Sequence, residues 1–519
     1  MIQPNFSSGS PVQFLSNLIR EHAELLQDQP ALRDDAQVLS YLQLDRAMDR
    51  IAATIQQAGL RRGEVIAICA MNSVRYACIF LGALRAGLVV APLAPSSSPD
   101  SLVSMLRDAQ VRLLFWDSAA PEIEEFAGIQ RISLDGDTDG IPFDEWLCPE
   151  GTQPQSVDIE PDAAFNIIYS SGTTGVPKGI VQSHAMRWAH ICRGAKYEYG
   201  PAATTLLATP LYSNTTLVVF FPTLALGGCV VLMTKFDAAQ YLVLAERYRV
   251  THAMLVPVQY QRILSVPSFE HHDLSSFRFK FCTSAPFGAA LKSNVLRRWP
   301  GNLVEFYGMT EGGGTCILDM RLHPDKLHTV GKPADGHDIR LIDEHENEVV
   351  PGESGEVVGN SPGMMTGYFK KPELTKEAEW LDAQGKRFIR TGDVGRFDSD
   401  GFLVLIDRRK DMIISGGFNI YPSDLESLLR GHPAVSEVAV VGVDSMQWGE
   451  TPVAFVVLRA GQSVLSFDLK IWCNQRVGKT QRLSDLCFVD ELPRSSIGKI
   501  LKRELRDAYR NRSLISTRT

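Results

Sequence analysis

Between residues 41 and 58 the apolar side chains Leu44, Met48, Ile51 and Ile55 recur at helical spacing. Ser40 and Gln43 in front of them have the spacing of a capping box, and Gly59 follows, so the pattern predicts an amphipathic helix over 41–58. The run Val65–Ala70, a helical tract through Leu84 and the run Leu88–Leu93 give β-α-β order and predict parallel sheet, and similar alternation continues to about residue 300. The stretch Leu217–Met233 is apolar and uncharged, but it is shorter than the ~20 residues of a bilayer span. Pro222 and Gly227-Gly228 interrupt it, which predicts a buried helix, a turn and a strand.

The texture changes between about 330 and 410, where short strand-like runs alternate with Gly, Pro and Asp turns. Val394–Phe397 and Phe402–Ile406, joined through Asp400-Gly401, predict a hairpin. After Asp411, Ser423 with Glu426 has capping-box spacing for another helix, and Val435–Val443 and Val453–Leu458 predict strands. The whole predicts an α/β protein: a large N-terminal domain, 1–409, of βαβ subdomains plus a β-rich subdomain, then a small α+β C-terminal domain, 410–519. Ser96-Ser97-Ser98-Pro99 reads as a surface loop, and no fixed-period repeat is visible.

Composition narrows the class. The 519 residues are 45% hydrophobic and 22% charged, ordinary for a globular chain and too long for one small module. A net charge of −8 gives no field for holding a polyanion, which argues against nucleic acid. The nine cysteines are scattered and never form CxxC, so neither a disulfide framework nor a zinc site is expected. Met1–Ser10 lacks the basic and apolar regions of a secretory signal, and a cytoplasmic location is expected.

Several segments carry chemistry. Ser170-Ser171-Gly172-Thr173-Thr174-Gly175-Val176-Pro177-Lys178-Gly179 follows an apolar run and combines close-approach glycines, four hydroxyls and a lysine, which suits a polyphosphate. It is not a Walker loop, because Pro177 stands where the second glycine belongs. Tyr307-Gly308-Met309-Thr310-Glu311 offers an aromatic face for a base and a carboxylate for magnesium. In Arg390-Thr391-Gly392-Asp393 the carboxylate suits ribose hydroxyls, with Arg408 a fork for phosphate or ribose oxygens. Lys499 stands beside Gly498 near the C-terminus, and Arg408-Arg409-Lys410-Asp411 by itself reads as a solvated connection.

Together, SSGTTGVPKG at 170–179, YGMTE at 307–311, RTGD at 390–393, DRRKDMIISGGFNIYPSDLE at 407–426 and SSIGK at 495–499 resemble, in order, the adenylate-forming superfamily of acyl-CoA synthetases, adenylation domains and luciferases. The resemblance spans nearly the whole chain. It implies that a carboxylate attacks the α-phosphate of Mg-ATP and that a thiol, usually of coenzyme A, then displaces AMP. It implies that the loop from Ser170 to Lys178 holds the β- and γ-phosphates, with Thr173, Thr174 and Lys178 closest. Ser284-Ala285-Pro286 and Tyr307, with Gly308 and Met309, would enclose the adenine. Thr310 would touch the α-phosphate, and Glu311 with Thr174 would ligate magnesium.

By the same resemblance Asp393 and Arg408 hold the ribose, and Lys499 bridges nucleotide and carboxylate as the catalytic cation. Lys410 is the hinge of a mobile C-terminal domain, Gly416 and Gly417 face the pantetheine tunnel, and Trp448 and Arg482 contact coenzyme A. One departure concerns the acyl pocket: after Pro210-Leu211, where many relatives have an aromatic and a histidine, this chain has Tyr212 and Ser213. Gly312-Gly313-Gly314 leaves room near that pocket or forms a tight turn. The expectation is an acyl-CoA ligase for a hydrophobic, fatty or aromatic acid, against two alternatives: an enzyme loading a carrier protein and a non-catalytic nucleotide binder. The acid itself is not legible in the sequence, and a homodimer is compatible with it.

Overall fold

A computed structural model describes residues 11–123, 128–170, 177–408, 411–415, 418–446, 448–478, 481–495 and 498–511. The chain forms two compact units, Met1–Ile339 with Gly359–Ile389, and Arg340–Val358 with Arg390–Thr519. The sequence-predicted boundary at 409/410 falls outside the described residues.

In the first unit the helix Tyr41–Gln57 begins at the predicted capping box: Gln43 N donates to Ser40 Oγ at 3.3 Å and Ser40 N to Gln43 Oε1 at 2.8 Å. Its apolar stripe packs on the helix Val74–Arg85. The strands Val65–Cys69 and Val89–Leu93 on either side of that helix pair in parallel, the predicted β-α-β unit. They belong to an eight-stranded sheet ordered Gly367–Tyr368, Lys178–Ser183, Ala164–Ser170, Val89–Leu93, Val65–Cys69, Leu113–Trp116, Gln130–Ser133, Ile141–Pro142. Full burial of both faces explains why these central strands are continuous apolar runs rather than alternating ones.

A nine-stranded sheet runs Lys332–Pro333, Thr315–Asp319, Asn302–Gly308, Phe279–Cys282, His252–Leu255, Thr204–Leu207, Cys229–Leu232, Pro30–Arg33, Val38–Ser40. Leu217–Met233 resolves as expected into the helix Asn214–Ala225, a turn with Gly227 in the left-handed region, and the strand Cys229–Leu232. A core containing Phe80, Phe165, Phe220 and Phe221 lies among these elements. Ser96–Pro99 differs from expectation: Ser98 caps and Pro99 opens the helix Pro99–Asp108, because proline's missing N–H costs nothing in a first helical turn.

In the second unit Val435–Ser445 and Gly449–Leu458 pair antiparallel, and Asp485–Phe488 joins the latter in parallel. Leu425 and Leu429 of the helix Pro422–Arg430 cover one face of this sheet, and Leu505 of the helix Lys502–Asn511 the other. The capping box expected at Ser423 is corrected: the N-cap is Tyr421, two residues earlier, and the helix starts at Pro422. Ser423 N donates to Asp407 Oδ2 at 2.9 Å, so a carboxylate from a neighbouring strand does the capping. Glu426 instead accepts from Val440 N at 2.9 Å and pairs with Lys502 at 2.9 Å. The hairpin through Asp400-Gly401 is present, with Asp398 Oδ1 accepting from Asp400 N and Phe402 N at 2.9 and 2.8 Å.

Among the described residues no helix is long and apolar enough to cross a membrane, and no three His, Cys, Asp or Glu side chains are placed to hold a metal. All nine cysteines are free thiols.

Candidate functional site

The strands Ala164–Ser170 and Lys178–Ser183 pair antiparallel with Ser170 opposite Lys178, so the Ser/Thr/Gly segment is the connection of a hairpin. Ser171, Gly172, Thr173, Thr174 and Gly175 lie outside the described residues, as does the side chain of Ser170; the strands that flank them are described. On one side Tyr169 donates its hydroxyl to Asp108 Oδ2 at 2.8 Å, and Lys371 pairs with Asp108 Oδ1 at 2.6 Å. On the other side the Lys178 ammonium stands 5.3 Å from the ring centre of Tyr368, within cation–π range. The short strand Gly367–Tyr368 lies along Lys178–Ser183 with Tyr368 opposite Ile180.

The Tyr368 hydroxyl donates to Glu311 Oε1 at 3.0 Å, and burial together with the Glu311 charge pushes that phenol well above its ordinary pKa. One aromatic residue therefore joins the lysine of the phosphate loop to the carboxylate of the YGMTE segment. Sequence reading missed it. Tyr368 belongs to no chemistry-bearing motif, and its partners are brought together only by sheet pairing.

Tyr307 and Gly308 end the strand Asn302–Gly308, and Met309, Thr310 and Glu311 turn out of it. Met309 packs near Ile180, Met365 and Ile389, and Glu311 O accepts from Met365 N at 2.8 Å. Thr310 is held from behind: its carbonyl accepts from Gln182 Nε2 at 2.8 Å. Gln182 in turn belongs to a buried cluster centred on Arg187, which donates to Asn166 Oδ1 at 2.9 Å, to Asn214 Oδ1 at 2.8 Å and to Gln182 Oε1. Burial pushes the Arg187 guanidinium down to about 9, so it stays charged at neutral pH. Its shorter hydrogen bonds run to neutral amides of three segments, and a longer one, 3.4 Å, to His190 Nδ1.

Gly312-Gly313-Gly314 is a packed turn and does not leave room. A Cβ on Gly312, at φ +72°, would stand 1.8 Å from the Gly363 carbonyl oxygen, and one on Gly313 would stand 2.5 Å from Ile389 Cβ. Backbone fills the space the sequence left open.

Ser213 is buried and caps the helix Asn214–Ala225, accepting from Thr215 N at 3.3 Å; Tyr212 precedes it, partly accessible. Thr215 Oγ1 lies 2.5 Å from Ser284 Oγ. Ser284, just beyond the strand Phe279–Cys282, sits at φ +78°, a region non-glycine residues rarely adopt and one that concentrates at functional sites. Ala285 and Pro286 follow it with increasing exposure.

The remaining expected residues belong to the second unit. Asp393 and Arg408 are direct cross-strand partners, and Asp393 N donates to Thr391 Oγ1 at 3.0 Å. Lys499 is exposed at the end of a tight turn closed by Lys499 N to Ser495 Oγ at 3.2 Å and Ser495 N to Lys499 O at 2.8 Å, with Gly498 at φ +76°. Arg494 braces that turn through Gly498 O at 2.9 Å and Glu437 at 2.5 Å. Trp448 and Arg482 are exposed; Lys410, Gly416 and Gly417 lie outside the described residues.

The donor set around Glu311 suits magnesium. One carboxylate oxygen is occupied by Tyr368 and the other accepts nothing from the described residues. A single carboxylate fits an ion that completes its shell with substrate phosphates and water.

Two family descriptions match the chain. The family described as AMP-binding enzyme matches residues 19–369, and the AMP-binding enzyme C-terminal domain matches 424–499. A feruloyl-CoA synthase from an Amycolatopsis species is 34% identical over 482 residues, covering 92% of this chain and 96% of that one. A fatty acid–[acyl-carrier-protein] ligase from Streptomyces coeruleorubidus is 32% identical over 501 residues, covering 94% and 95%. The solved structure of o-succinylbenzoate CoA synthetase from Bacillus subtilis, in complex with its acyl-adenylate intermediate, superposes with a TM-score of 0.83 at 27% identity, covering 96% and 98%.

Proposed function

The chain belongs to the AMP-binding enzyme family, and from that premise we propose that it is an AMP-forming acyl-CoA ligase acting on an organic acid with an aryl or alkyl body. The observation that carries this reading is the Lys178–Tyr368–Glu311 cluster at the root of the loop that begins at Ser170. It sets a cation, a phenol and a carboxylate where polyphosphate and its counter-ion would be received.

In the first half-reaction the acid's carboxylate oxygen attacks the α-phosphorus of ATP and the bond to pyrophosphate breaks. Lys178 and the loop receive the β- and γ-phosphates, Glu311 and Thr174 would hold magnesium, and Thr310 stands at the α-phosphate. Bound there, magnesium would neutralise part of the phosphate charge. Ser284, Ala285, Pro286 and Tyr307 hold the adenine, and Asp393 with Arg408 the ribose. Lys499 supplies the positive charge that opposes the charge growing at phosphorus, an effect stronger in the transition state than in the ground state. In the second half-reaction the thiol sulfur attacks the acyl carbon, AMP leaves with the carboxylate-derived oxygen, and the proton is lost from sulfur. Lys410 acts as the hinge of a C-terminal domain, 410–519, while Gly416, Gly417, Trp448 and Arg482 meet coenzyme A.

A second reading, transfer to a carrier protein, is favoured by the similarity to the fatty acid–[acyl-carrier-protein] ligase. Release of AMP and pyrophosphate from Mg-ATP, measured over a panel of fatty, aromatic and amino acids with and without coenzyme A, separates the two. Thioester formation with coenzyme A supports the ligase, whereas adenylate formation indifferent to coenzyme A supports a carrier protein. ATP binding without turnover of any acid would leave a nucleotide binder.

A further inference from the structure

The helix His184–Gly194 presents Arg187, His190 and Arg193 at three-residue intervals, so all three lie near one face. Neither arginine forms an ion pair with any carboxylate among the described residues. Arg187 spends its donors on the amide cluster, but Arg193 does not: NH1 donates to Thr315 Oγ1 at 3.2 Å, the guanidinium carbon stands 5.2 Å from the Phe306 ring centre, and its other N–H groups have no partner among the described residues. Phe306 directly precedes Tyr307, and Thr315 directly follows the Gly312–Gly314 turn. Through Arg187 this basic face reaches Asn214, next to Ser213 of the expected acyl pocket, and through Arg193 it lies against the two strands that flank the glycine turn.

Two imidazoles point the same way, and their tautomers follow from what they accept. Thr315 N, which can only donate, lies 2.9 Å from His337 Nδ1. The Arg187 guanidinium, also only a donor, lies 3.4 Å from His190 Nδ1. In each ring Nδ1 is thus the acceptor and Nε2 carries the proton. Neither Nε2 has a partner among the described residues, and His190 Nε2 faces Gly363 beside the glycine turn. Arg193, His190 and His337 remain partly accessible although burial, and after it the positive charges around them, push both histidines down, His337 to about 4 against the opposing charge of Asp335. This face thus consists mainly of N–H donors with positive charge; the acid that faces it, Asp335, is engaged by Lys196 at 2.5 Å and acts on His337 through charge alone.

Donors without acceptors are complementary to a group that only accepts, and an ionised carboxylate is such a group. We infer that the acid activated here carries a second carboxylate, at the end remote from the activated one, and that Arg193 with His190 and His337 receives it. The inference rests on the acyl-ligase reading and names the substrate class of the same site. It revises the expectation of a purely hydrophobic acid: the body stays apolar, lying against Phe306, but its far end is charged.

Matched pairs test this with the full chain: 4-carboxycinnamic against cinnamic acid, adipic against hexanoic acid, and suberic against octanoic acid. For at least one pair, kcat/KM in pyrophosphate release is expected to favour the diacid by about tenfold or more, the worth of a charge-assisted hydrogen bond. The ratio should fall toward one in Arg193→Met and recover in part in Arg193→Lys, a readout that general loss of folding does not produce. Calorimetric titration of each acid reads the same preference without catalysis. Equal binding of both members, binding of neither, or a preference for the monoacids overturns the inference. Preferential binding of a diacid without any adenylate formation sustains it and strikes the ligase reading instead.

Discussion

The Tyr368 hydroxyl donates to Glu311 Oε1 at 3.0 Å while the Lys178 ammonium lies 5.3 Å from the centre of the same ring. Residues distant in sequence thereby act as one unit, and the phenol fixes the rotamer of a carboxylate that has only one oxygen left for another ligand. Tyr368→Phe keeps the ring and removes the donor. The expected result is a fall of roughly 10- to 100-fold in kcat/KM for Mg-ATP, with a higher magnesium requirement, at little cost in stability. Steady-state kinetics at varied magnesium measure it; a change within about threefold would remove Tyr368 from the site.

Gly312 has two reasons to be glycine, its φ of +72° and the Gly363 carbonyl 1.8 Å from where a Cβ would sit. Gly312→Ala must move backbone, because the two nearest atoms are the oxygen and carbon of the Gly363 carbonyl, and only the third, Met186 Cε, is a flexible side-chain end. A loss of about 2–4 kcal/mol in urea unfolding is expected, with a drop in turnover because Glu311 is the preceding residue. Wild-type stability in this variant would show that the turn is loosely packed.

Arg187→Met leaves the buried Asn166 Oδ1 without its donor and takes one donor each from Gln182 Oε1 and Asn214 Oδ1, which keep Asn166 Nδ2 and Gln182 Nε2. A cost of about 3 kcal/mol or more follows from unsatisfied buried acceptors. Arg187→Lys keeps the charge but not the fork, so it should recover little. Unfolding curves for the two variants decide this, and near-complete rescue by lysine would mean that charge alone matters.

Acid should destabilise the fold through histidines. Burial pushes His184, His252 and His337 down to about 4; for His252 burial outweighs the opposing effect of the bond that Nε2 donates to Tyr197 O at 2.6 Å. Their folded values lie below the unfolded value near 6.5, so between pH 6.5 and 4 the unfolded chain binds more protons and stability falls as pH falls. For His252 alone the loss is roughly 3 kcal/mol once pH is below 4. Urea midpoints at pH 7.5, 6.5, 5.5 and 5 measure the slope, which should shrink in His252→Gln; a slope unchanged in that variant would contradict the account.

Much of the fold was legible because its signals are local. The Ser40–Gln43 cap, the buried runs at 65–69 and 89–93 and the break at Gly227-Gly228 each announce themselves within a few residues. The Ser423 cap failed because a carboxylate from another strand, Asp407, competes for the same N–H, and sequence carries no sign of that neighbour. The site divides in the same way. Motif residues such as Lys178, Glu311 and Asp393 are recognisable where they stand, whereas Tyr368 and Arg193 acquire meaning only from sheet pairing and helix packing that bring Glu311 and Thr315 to them.

The central claim is that the acid's carboxylate attacks the α-phosphorus. An acid labelled with 18O in both carboxylate oxygens, turned over with Mg-ATP and coenzyme A, tests it by mass spectrometry of the products. The account predicts one labelled oxygen in AMP and none in pyrophosphate, because the C–O bond breaks when the thiol attacks. Label in inorganic phosphate with ADP as the nucleotide product, or unlabelled AMP, would contradict it.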